Sequence, residues 1–164
     1  MADKEATVYI VDVGESMGDC HNGRLESDLD WAMRYVWDQL SAVVATGRKT
    51  LTVGVVGLNT DGTANEEAKE LKGYENISVI QELGMLTLSS LRDLRAGIRP
   101  SRSCSGDAIS AIVVALGMIT RLTKELKYKR KIVLVTNGEY YIDPDNFSDV
   151  ARQLSAKKVE LVIL

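Results

Sequence analysis

The sequence predicts a doubly wound α/β fold, with helices on both faces of a mostly parallel sheet. Apolar, β-branched runs alternate along the chain with segments whose apolar residues recur at helical spacing. The run 51–58 is apolar without alternation, as expected of a central strand covered on both faces. Polar side chains follow several strands, and doubly wound sheets place their sites beyond the carboxyl ends of strands.

The size of the chain indicates one domain. Its 164 residues are 45% hydrophobic and 26% charged, as in a soluble globular protein, and no apolar run approaches the ~18 residues of a membrane span. We therefore expect residues 1–164 to form a single domain. Because the last apolar strand, 159–164, runs to the chain end, we expect this domain to be the N-terminal part of a longer protein.

Charge and cysteine content exclude several functions. With a net charge of −3, the chain as a whole has no electrostatic footprint for nucleic acid. Its basic stretches are interpreted as solvated helix ends and loops. Cys20 and Cys104 lie far apart and His21 is the single histidine, which argues against zinc and against a disulfide framework. The polar, acidic start lacks a secretory pattern, so we expect an intracellular protein.

The elements of the first half follow from periodicity and caps. A strand within 7–17 precedes a helix that begins at Ser27, with Asp30 as its capping partner, and ends at Thr46-Gly47. The predicted inward face of this helix is Leu29, Met33, Val36, Trp37, Leu40, Val43 and Val44. The next elements are a strand at 51–58, a polar segment at 59–72, a strand at 77–83 and a short helix at 87–94.

The second half repeats the alternation. After a Ser/Arg-rich loop at 100–106, Asp107 opens a long helix. The apolar stripe of this helix is predicted to be core and consists of Ile109, Ile112, Val113, Leu116, Ile119 and Leu126. A strand at 131–136 follows. Asp143-Pro144-Asp145 then predicts a helix start, with Phe147, Val150, Ala151 and Leu154 facing inward, before the last strand.

Three loops after strands resemble the metal-binding loops of von Willebrand factor A domains. In that family a D-x-S-x-S motif holds Mg²⁺, a cation that prefers octahedral oxygen ligands. Asp12 and Ser16 match its ends, but Gly14 replaces the middle serine. Ser105 matches the hydroxyl of the second loop, and Asn137 replaces the aspartate of the third. We therefore predict a degenerate site, made of Asp12, Ser16, Ser105 and Asn137, that binds no metal.

Two interpretations of this edge stay open. The carboxylate of Asp12 and the hydroxyl of Ser16 are expected to cap backbone N–H groups of their own loop. Alternatively, Glu139 or Asp107 replaces the missing charge.

The whole chain further resembles the N-terminal von Willebrand A domain of the larger subunit of eukaryotic Ku proteins, and is most similar to the fungal type. The resemblance rests on four stretches, 12–17, 57–63, 73–79 and 98–100. The second and third are not general features of von Willebrand A domains, and all four occur in order. A degenerate metal site is also a feature of that family.

This resemblance implies a protein-interaction domain of a DNA-end-binding complex. The implied roles are double-strand break repair by non-homologous end joining and telomere maintenance, in the nucleus and at chromosome ends. The implied partners are the other Ku subunit and repair factors that dock through peptide motifs. DNA ends would be bound by the rest of the protein, with little or no contribution from this domain. No membrane and no cofactor is expected.

The peptide-docking residues implied by the resemblance are Tyr74, Ile112 and Val113. An aromatic side chain beside an apolar groove suits peptide recognition, because buried aromatic anchors dominate such interfaces. The alternative for Tyr74 is a loop residue whose ring packs on the domain, and for Ile112 and Val113 a place in the core.

No enzyme motif is present, although Ku-type proteins have been described as ATP-dependent helicase subunits. The stretch 57–63 has the glycine spacing of a phosphate-binding loop but carries Thr63 where lysine is required. We therefore predict no catalytic residues. The competing functions are a metal-dependent adhesion domain and a purely structural arm of the heterodimer.

Overall fold

A computed structural model describes residues 3–164 as one five-stranded sheet with four α-helices. The strands are β1 (Glu5–Asp12), β2 (Leu51–Leu58), β3 (Ile77–Met85), β4 (Lys129–Val135) and β5 (Val159–Ile163). The helices are α1 (Asp28–Thr46), α2 (Leu88–Gly97), α3 (Ala108–Thr123) and α4 (Phe147–Ala156), with short 3₁₀ turns at Glu15–Gly18 and Glu67–Lys69. None of the helices within 3–164 has both the length and the apolar character needed to cross a membrane.

The sheet has the strand order β3-β2-β1-β4-β5. All neighbouring pairs are parallel except β2 and β3, which are antiparallel. This arrangement confirms the predicted doubly wound, mostly parallel fold. The chain moves outward from β1 in one direction to β2 and in the other to β4, so the topological switch point lies at the carboxyl end of β1.

A hydrophobic layer covers each face of the sheet. One layer joins α3 and α4 to the sheet through residues such as Ile10, Val56, Ile119 and Val150. The other joins α1 and α2 through residues such as Val11, Leu40, Val55 and Leu94. Because β1 and β2 contribute to both layers, their side chains are buried on both faces, as the apolar run in β2 predicted.

Three helix starts are capped as their sequences predict. The side chain of Ser27 accepts a hydrogen bond from the Asp30 N–H at 3.1 Å. At the start of α2, the Thr87 hydroxyl accepts from the Ser90 N–H at 3.1 Å. At the start of α3, the Asp107 carboxylate accepts from the Ser110 N–H at 2.7 Å. Each such cap stabilises its helix by about 1 kcal/mol.

The predicted start of α4 at Asp143 is wrong. The Asp143 side chain accepts from the Asp145 N–H at 3.0 Å, and a separate turn brings the Phe147 N–H to the Pro144 carbonyl. The helix therefore starts after Asn146. Its inward face begins with Val150 and continues with Leu154, whereas Phe147 and Ala151 are exposed.

The apolar stripe of α3 is shorter than predicted. Lys124 has a positive φ of 45° and ends the helix. Leu126 therefore lies in the turn before β4, where it is 54% exposed and does not belong to the core.

Candidate functional site

The switch point is organised around a buried carboxylate, Asp12, at the end of β1. Its Oδ1 accepts hydrogen bonds from the Gly14 N–H and from Asn59 Nδ2, both at 2.9 Å. Its Oδ2 accepts from the Thr136 hydroxyl at 2.7 Å. Asp12 is 1% exposed, so three protein donors replace the water that a carboxylate loses on burial.

Asn59 connects the loops that meet at this edge. It follows β2, is 1% exposed and adopts a left-handed backbone with φ of 60°. Its amide nitrogen donates to Asp12, and its amide oxygen accepts from the Gly106 N–H at 2.8 Å. Its carbonyl accepts from the Ser101 hydroxyl. Asn59 thus joins β1, β2 and the loop before α3.

Tyr140 takes the place of the missing serine. A Cβ atom added to Gly14 would lie 2.7 Å from Cε2 of the Tyr140 ring, a distance that real side chains do not tolerate. The Tyr140 hydroxyl accepts a hydrogen bond from the Ser16 N–H at 2.7 Å. The ring therefore fills the position that a serine side chain at residue 14 would need.

Ser16 and Asn137 continue this network toward α1. The Ser16 hydroxyl and the Asn137 amide lie 3.2–3.3 Å apart, and Asn137 Nδ2 donates to Asp28 at 3.3 Å. Asp28 also accepts hydrogen bonds from Arg24 and, at 2.7 Å, from His21 Nδ1. Every oxygen of this edge that matches a metal ligand, apart from Ser105, is thus engaged by protein groups.

Charge within this group shifts two pKa values. The hydrogen bond to Asp28 and the negative charge of that carboxylate raise the pKa of His21. Burial acts to raise the pKa of Asp28, but hydrogen bonds from His21, Asn137 and Arg24 outweigh it, so the pKa of Asp28 is lowered. Asp28 and His21 therefore form an ion pair more readily than isolated side chains would.

The remaining predicted ligands are not among the hydrogen-bond partners of Asp12, which are Gly14, Asn59 and Thr136. Ser105 is exposed. Asp107 caps α3 and accepts from the Asp143 N–H at 3.2 Å, while Glu139 Oε1 lies 3.6 Å from His21 Nε2. Across residues 3–164, His, Cys, Asp and Glu side chains form no group of three placed to hold a metal ion.

These residues do not fit Mg²⁺. The cation requires several oxygen ligands with free lone pairs in octahedral geometry. Asp12 already accepts three hydrogen bonds, Gly14 has no hydroxyl, and Asn137 has no charge. The Tyr140 ring also occupies part of the space beside Gly14.

Sequence reasoning missed the residues that close the site. Asn59, Tyr140 and Asp28 come from three different segments, and pairs such as Ser16 and Tyr140 are 124 positions apart. Only Asn59 carried a local signal, because asparagine directly after a strand is favoured in left-handed backbone. The positions of the other two depend on how the loops meet.

A second candidate site surrounds Tyr74. Tyr74 and Val113 are both partly buried and pack against the layer of α3, together with Val79 of β3. Ile112 is 4% exposed and belongs to the core beneath them. The structure therefore brings the three predicted docking residues into one hydrophobic cluster, with Tyr74 and Val113 at its surface.

The loop that carries Tyr74 is tied to its neighbours. Asn65 Nδ2 donates to the Tyr74 carbonyl at 2.9 Å, and Arg121 of α3 pairs with Glu67 at 3.1 Å. Burial, followed by the charges of Glu67 and Asp107, raises the pKa of the Tyr74 hydroxyl. Tyr74 thus lies at a half-buried, locally acidic position.

Comparison with known proteins identifies the family. The model of the Ku70/Ku80 N-terminal alpha/beta domain matches residues 6–161. The chain belongs to this Ku domain family. Among similar curated proteins, the ATP-dependent DNA helicase II subunit 2 of Neurospora crassa is 62% identical over the whole chain, and that of Chaetomium globosum is 60% identical. The corresponding Schizosaccharomyces pombe protein is 40% identical over 94% of the chain.

This Ku domain is a small part of the proteins it matches, since the chain spans 22–23% of the length of these relatives. The chain also superposes on a solved structure, the SpRpn10 VWA domain, with a TM-score of 0.69. The superposition covers 98% of this chain and 74% of that one. At 12% identity, this likeness shows the fold alone. The predicted von Willebrand A fold and the Ku resemblance are both confirmed.

Proposed function

We propose that this chain is a protein-interaction domain of a Ku-type DNA-end-binding subunit and that it recruits repair factors through short peptide motifs. The observation that carries the proposal is the closed switch point. The Asp12 carboxylate accepts hydrogen bonds from Gly14, Asn59 and Thr136, and the Tyr140 ring lies beside Gly14. Asn137 donates to Ser16 and Asp28. Ligand binding through a bridging cation is therefore disfavoured. Partners are then bound by side-chain surfaces.

The surface around Tyr74 supports peptide recognition. Its ring and Val113 are both partly buried against the same hydrophobic layer, and partly ordered side chains lose less entropy on binding. The nearby Glu67 has one oxygen, Oε2, that is buried and accepts no hydrogen bond from residues 3–164. With no exposed surface, that oxygen is out of reach of a bound peptide, so Glu67 supports the site through its pair with Arg121 of α3.

The wider role proposed for the full-length protein follows from the family. It comprises pairing with the other Ku subunit, binding of double-stranded DNA ends outside this domain, and action in non-homologous end joining and telomere maintenance in the nucleus. The acidic net charge of −3 agrees with little or no DNA binding by the domain as a whole.

We propose no enzymatic activity for this domain, although its relatives carry the name helicase. The hydroxyl groups of the stretch 57–63 are bonded to the protein backbone. The Thr60 hydroxyl donates to the Gly62 carbonyl at 2.7 Å, and the Thr63 hydroxyl accepts from the Asn76 N–H at 2.9 Å. A phosphate-binding loop instead points its N–H groups at the ligand and supplies a lysine.

The test is Tyr74→Ala in the full-length protein. We expect capture of end-joining or telomere factors from nuclease-treated nuclear extract to fall at least tenfold, because truncation of an aromatic anchor costs about 2 kcal/mol or more. Pairing with the second Ku subunit should not change. Captured proteins are identified and quantified by mass spectrometry. Tyr141→Ala is the matched control, since Tyr141 is 81% exposed on another loop.

Two outcomes would count against this function. Equal losses of factor capture and subunit pairing would indicate a structural arm without a separate peptide site. Equal capture by the Tyr74 and Tyr141 variants would exclude Tyr74 as an anchor.

A further inference from the structure

The amino-terminal edge of the sheet, opposite the Asp12 network, concentrates positive charge. Residues 3–5, 48–49, 124–131 and 157–160 meet there, because β1, β4 and β5 begin at this edge and the turns before β2, β4 and β5 reach it. These segments contain ten of the chain's 20 lysines and arginines but four of its 23 aspartates and glutamates. Their net charge is +6, whereas that of the chain is −3.

Helix ends do not account for this charge. α1, α3 and α4 end at this edge, and cations ordinarily accompany helix C-termini. Each C-terminus carries about half a negative charge, so three of them amount to roughly −1.5. The cationic surplus is several times larger.

The charged edge is concave. A cavity of about 430 Å³ is lined by Lys129, Lys131 and Lys158, and a second of about 240 Å³ by Lys124 and Lys157. Arg130 lines both, so the two cavities adjoin at its side chain. We call the two cavities together the basic groove.

The Arg130 side chain is bonded to the protein itself and forms the floor of the basic groove. Its guanidinium donates to the Thr123 hydroxyl and to three carbonyls, those of Lys124, Leu126 and Lys157, at 2.9–3.1 Å. The arginine therefore joins the turn before β4 to the turn before β5. Within residues 3–164, the ion pairs of the surrounding lysines are exposed, such as Lys131 with Glu160 at 3.5 Å and Lys129 with Asp3 at 3.1 Å.

Two lysines of the basic groove occupy backbone positions that favour glycine. Lys124 and Lys158 have φ of 45° and 53°, at the ends of α3 and α4. Glycine is the usual residue at such positions, and a side chain there is strained. Strained backbone conformations are often found at functional sites, so the side chains of these two lysines are candidates for ligand contact.

We propose that the basic groove docks an acidic peptide segment of a partner protein, with an apolar residue among its carboxylates. Leu126, 54% exposed beside the groove, offers a contact to an apolar side chain but nothing to a phosphate backbone. Glu5, Glu125 and Glu160 also line the basic groove and would repel a chain with a charge on every unit. The ammonium of Lys4 lies over one face of the Tyr128 ring, 5.6 Å from the ring centroid, which leaves less of that ring for base stacking.

The test uses a fluorescein-labelled peptide in which Glu and Asp alternate with Leu, and fluorescence anisotropy as the readout. The variant Lys124→Gly with Lys158→Gly removes two groove charges while relieving backbone strain. We expect its affinity for the peptide to fall about fivefold, from the loss of two exposed ion pairs. Its thermal midpoint should stay the same or rise, and added salt should weaken binding of the unmodified protein.

The matched control is Lys72→Ala with Arg102→Ala, which removes two exposed cations elsewhere and should bind the peptide normally. An equal loss in this control would overturn the proposal, because net charge alone would explain binding. The proposal would also be overturned by unchanged binding in the glycine variant, or by tighter groove-dependent binding of a labelled DNA duplex.

If the glycine variant does not fold, Lys129→Gln with Lys131→Gln in β4 provides the same test. Tyr74→Ala should not affect this binding, so this proposal and the peptide site at Tyr74 fail independently.

Discussion

At the scale of single residues, a few side chains account for the hydrogen-bonded arrangement around Asp12. Gly14 leaves room for the Tyr140 ring, whose hydroxyl accepts from the Ser16 N–H. Asn59 and Thr136 donate to the carboxylate of Asp12. The carboxylate oxygens of Asp12 are therefore hydrogen-bonded to protein donors, as buried polar groups generally are.

Gly14→Ser tests this explanation. The added side chain meets Tyr140, Asn59 and Asp12 within 3.1 Å, so we expect a loss of about 1–3 kcal/mol in stability and no gain of Mg²⁺ binding. Denaturant unfolding and titration calorimetry measure the two effects. Adding Tyr140→Ala removes the clashing ring, so Gly14→Ser should cost less in that background than alone. Neutral behaviour of Gly14→Ser, or Mg²⁺ binding by it, would contradict the explanation.

At the scale of elements, α3 supports both the core and the loop that carries Tyr74. Its buried face is continuous from Ala108 to Thr123. Gly117 interrupts the opposite side, and a Cβ added there would lie 2.7 Å from Glu67 Oε1. The glycine therefore makes room for the carboxylate that pairs with Arg121 and holds the loop on the helix.

Gly117→Ala should separate loop anchoring from overall stability. The alanine favours the helix by about 0.5–1 kcal/mol but displaces the flexible end of Glu67, so we expect little net change in the free energy of unfolding. Hydrogen exchange should become faster in residues 63–74. Gly84→Ala is a control, since a Cβ at that glycine meets no atom within 4 Å. Unchanged exchange in 63–74 would show that the Glu67 pair does not anchor the loop.

At the scale of the whole molecule, one sheet separates two hydrophobic layers and carries polar side-chain clusters at both ends of its strands. The closed switch point and the basic groove lie at opposite ends of the strands. Since β1 and β2 bury side chains in both layers, we expect the domain to unfold as one cooperative unit.

Leu40→Ala and Ile119→Ala test this cooperativity from the two layers. Both side chains are fully buried, one in α1 and the other in α3, so each truncation should cost about 2–5 kcal/mol. Both variants should show a single transition, and their costs should add within about 0.5 kcal/mol because the sheet separates them. Leu88→Ala, at a position that is 53% exposed, should change stability little. Two separate transitions in either truncation would show that the layers unfold independently.

The fold itself was predictable because it depends on local and periodic signals. Apolar runs located the strands, and Ser27, Thr87 and Asp107 marked helix starts whose caps the structure confirms. The start of α4 and the placement of Leu126 were wrong for a local reason as well. A turn closed by Pro144 and a left-handed Lys124 changed the boundaries by a few residues, and such backbone choices leave little trace in periodicity.

The sequence by itself determined the class of the fold, its order of elements, the family and the loss of the metal-binding pattern at Gly14 and Asn137. The tertiary structure alone decided which side chains surround Asp12 and where the positive charge collects. Tyr140, Asn59 and Asp28 reach the Asp12 edge from distant segments, and the lysines of the basic groove come from turns of separate helices. Such contacts depend on how loops pack in three dimensions, and residue spacing along one chain does not contain that information.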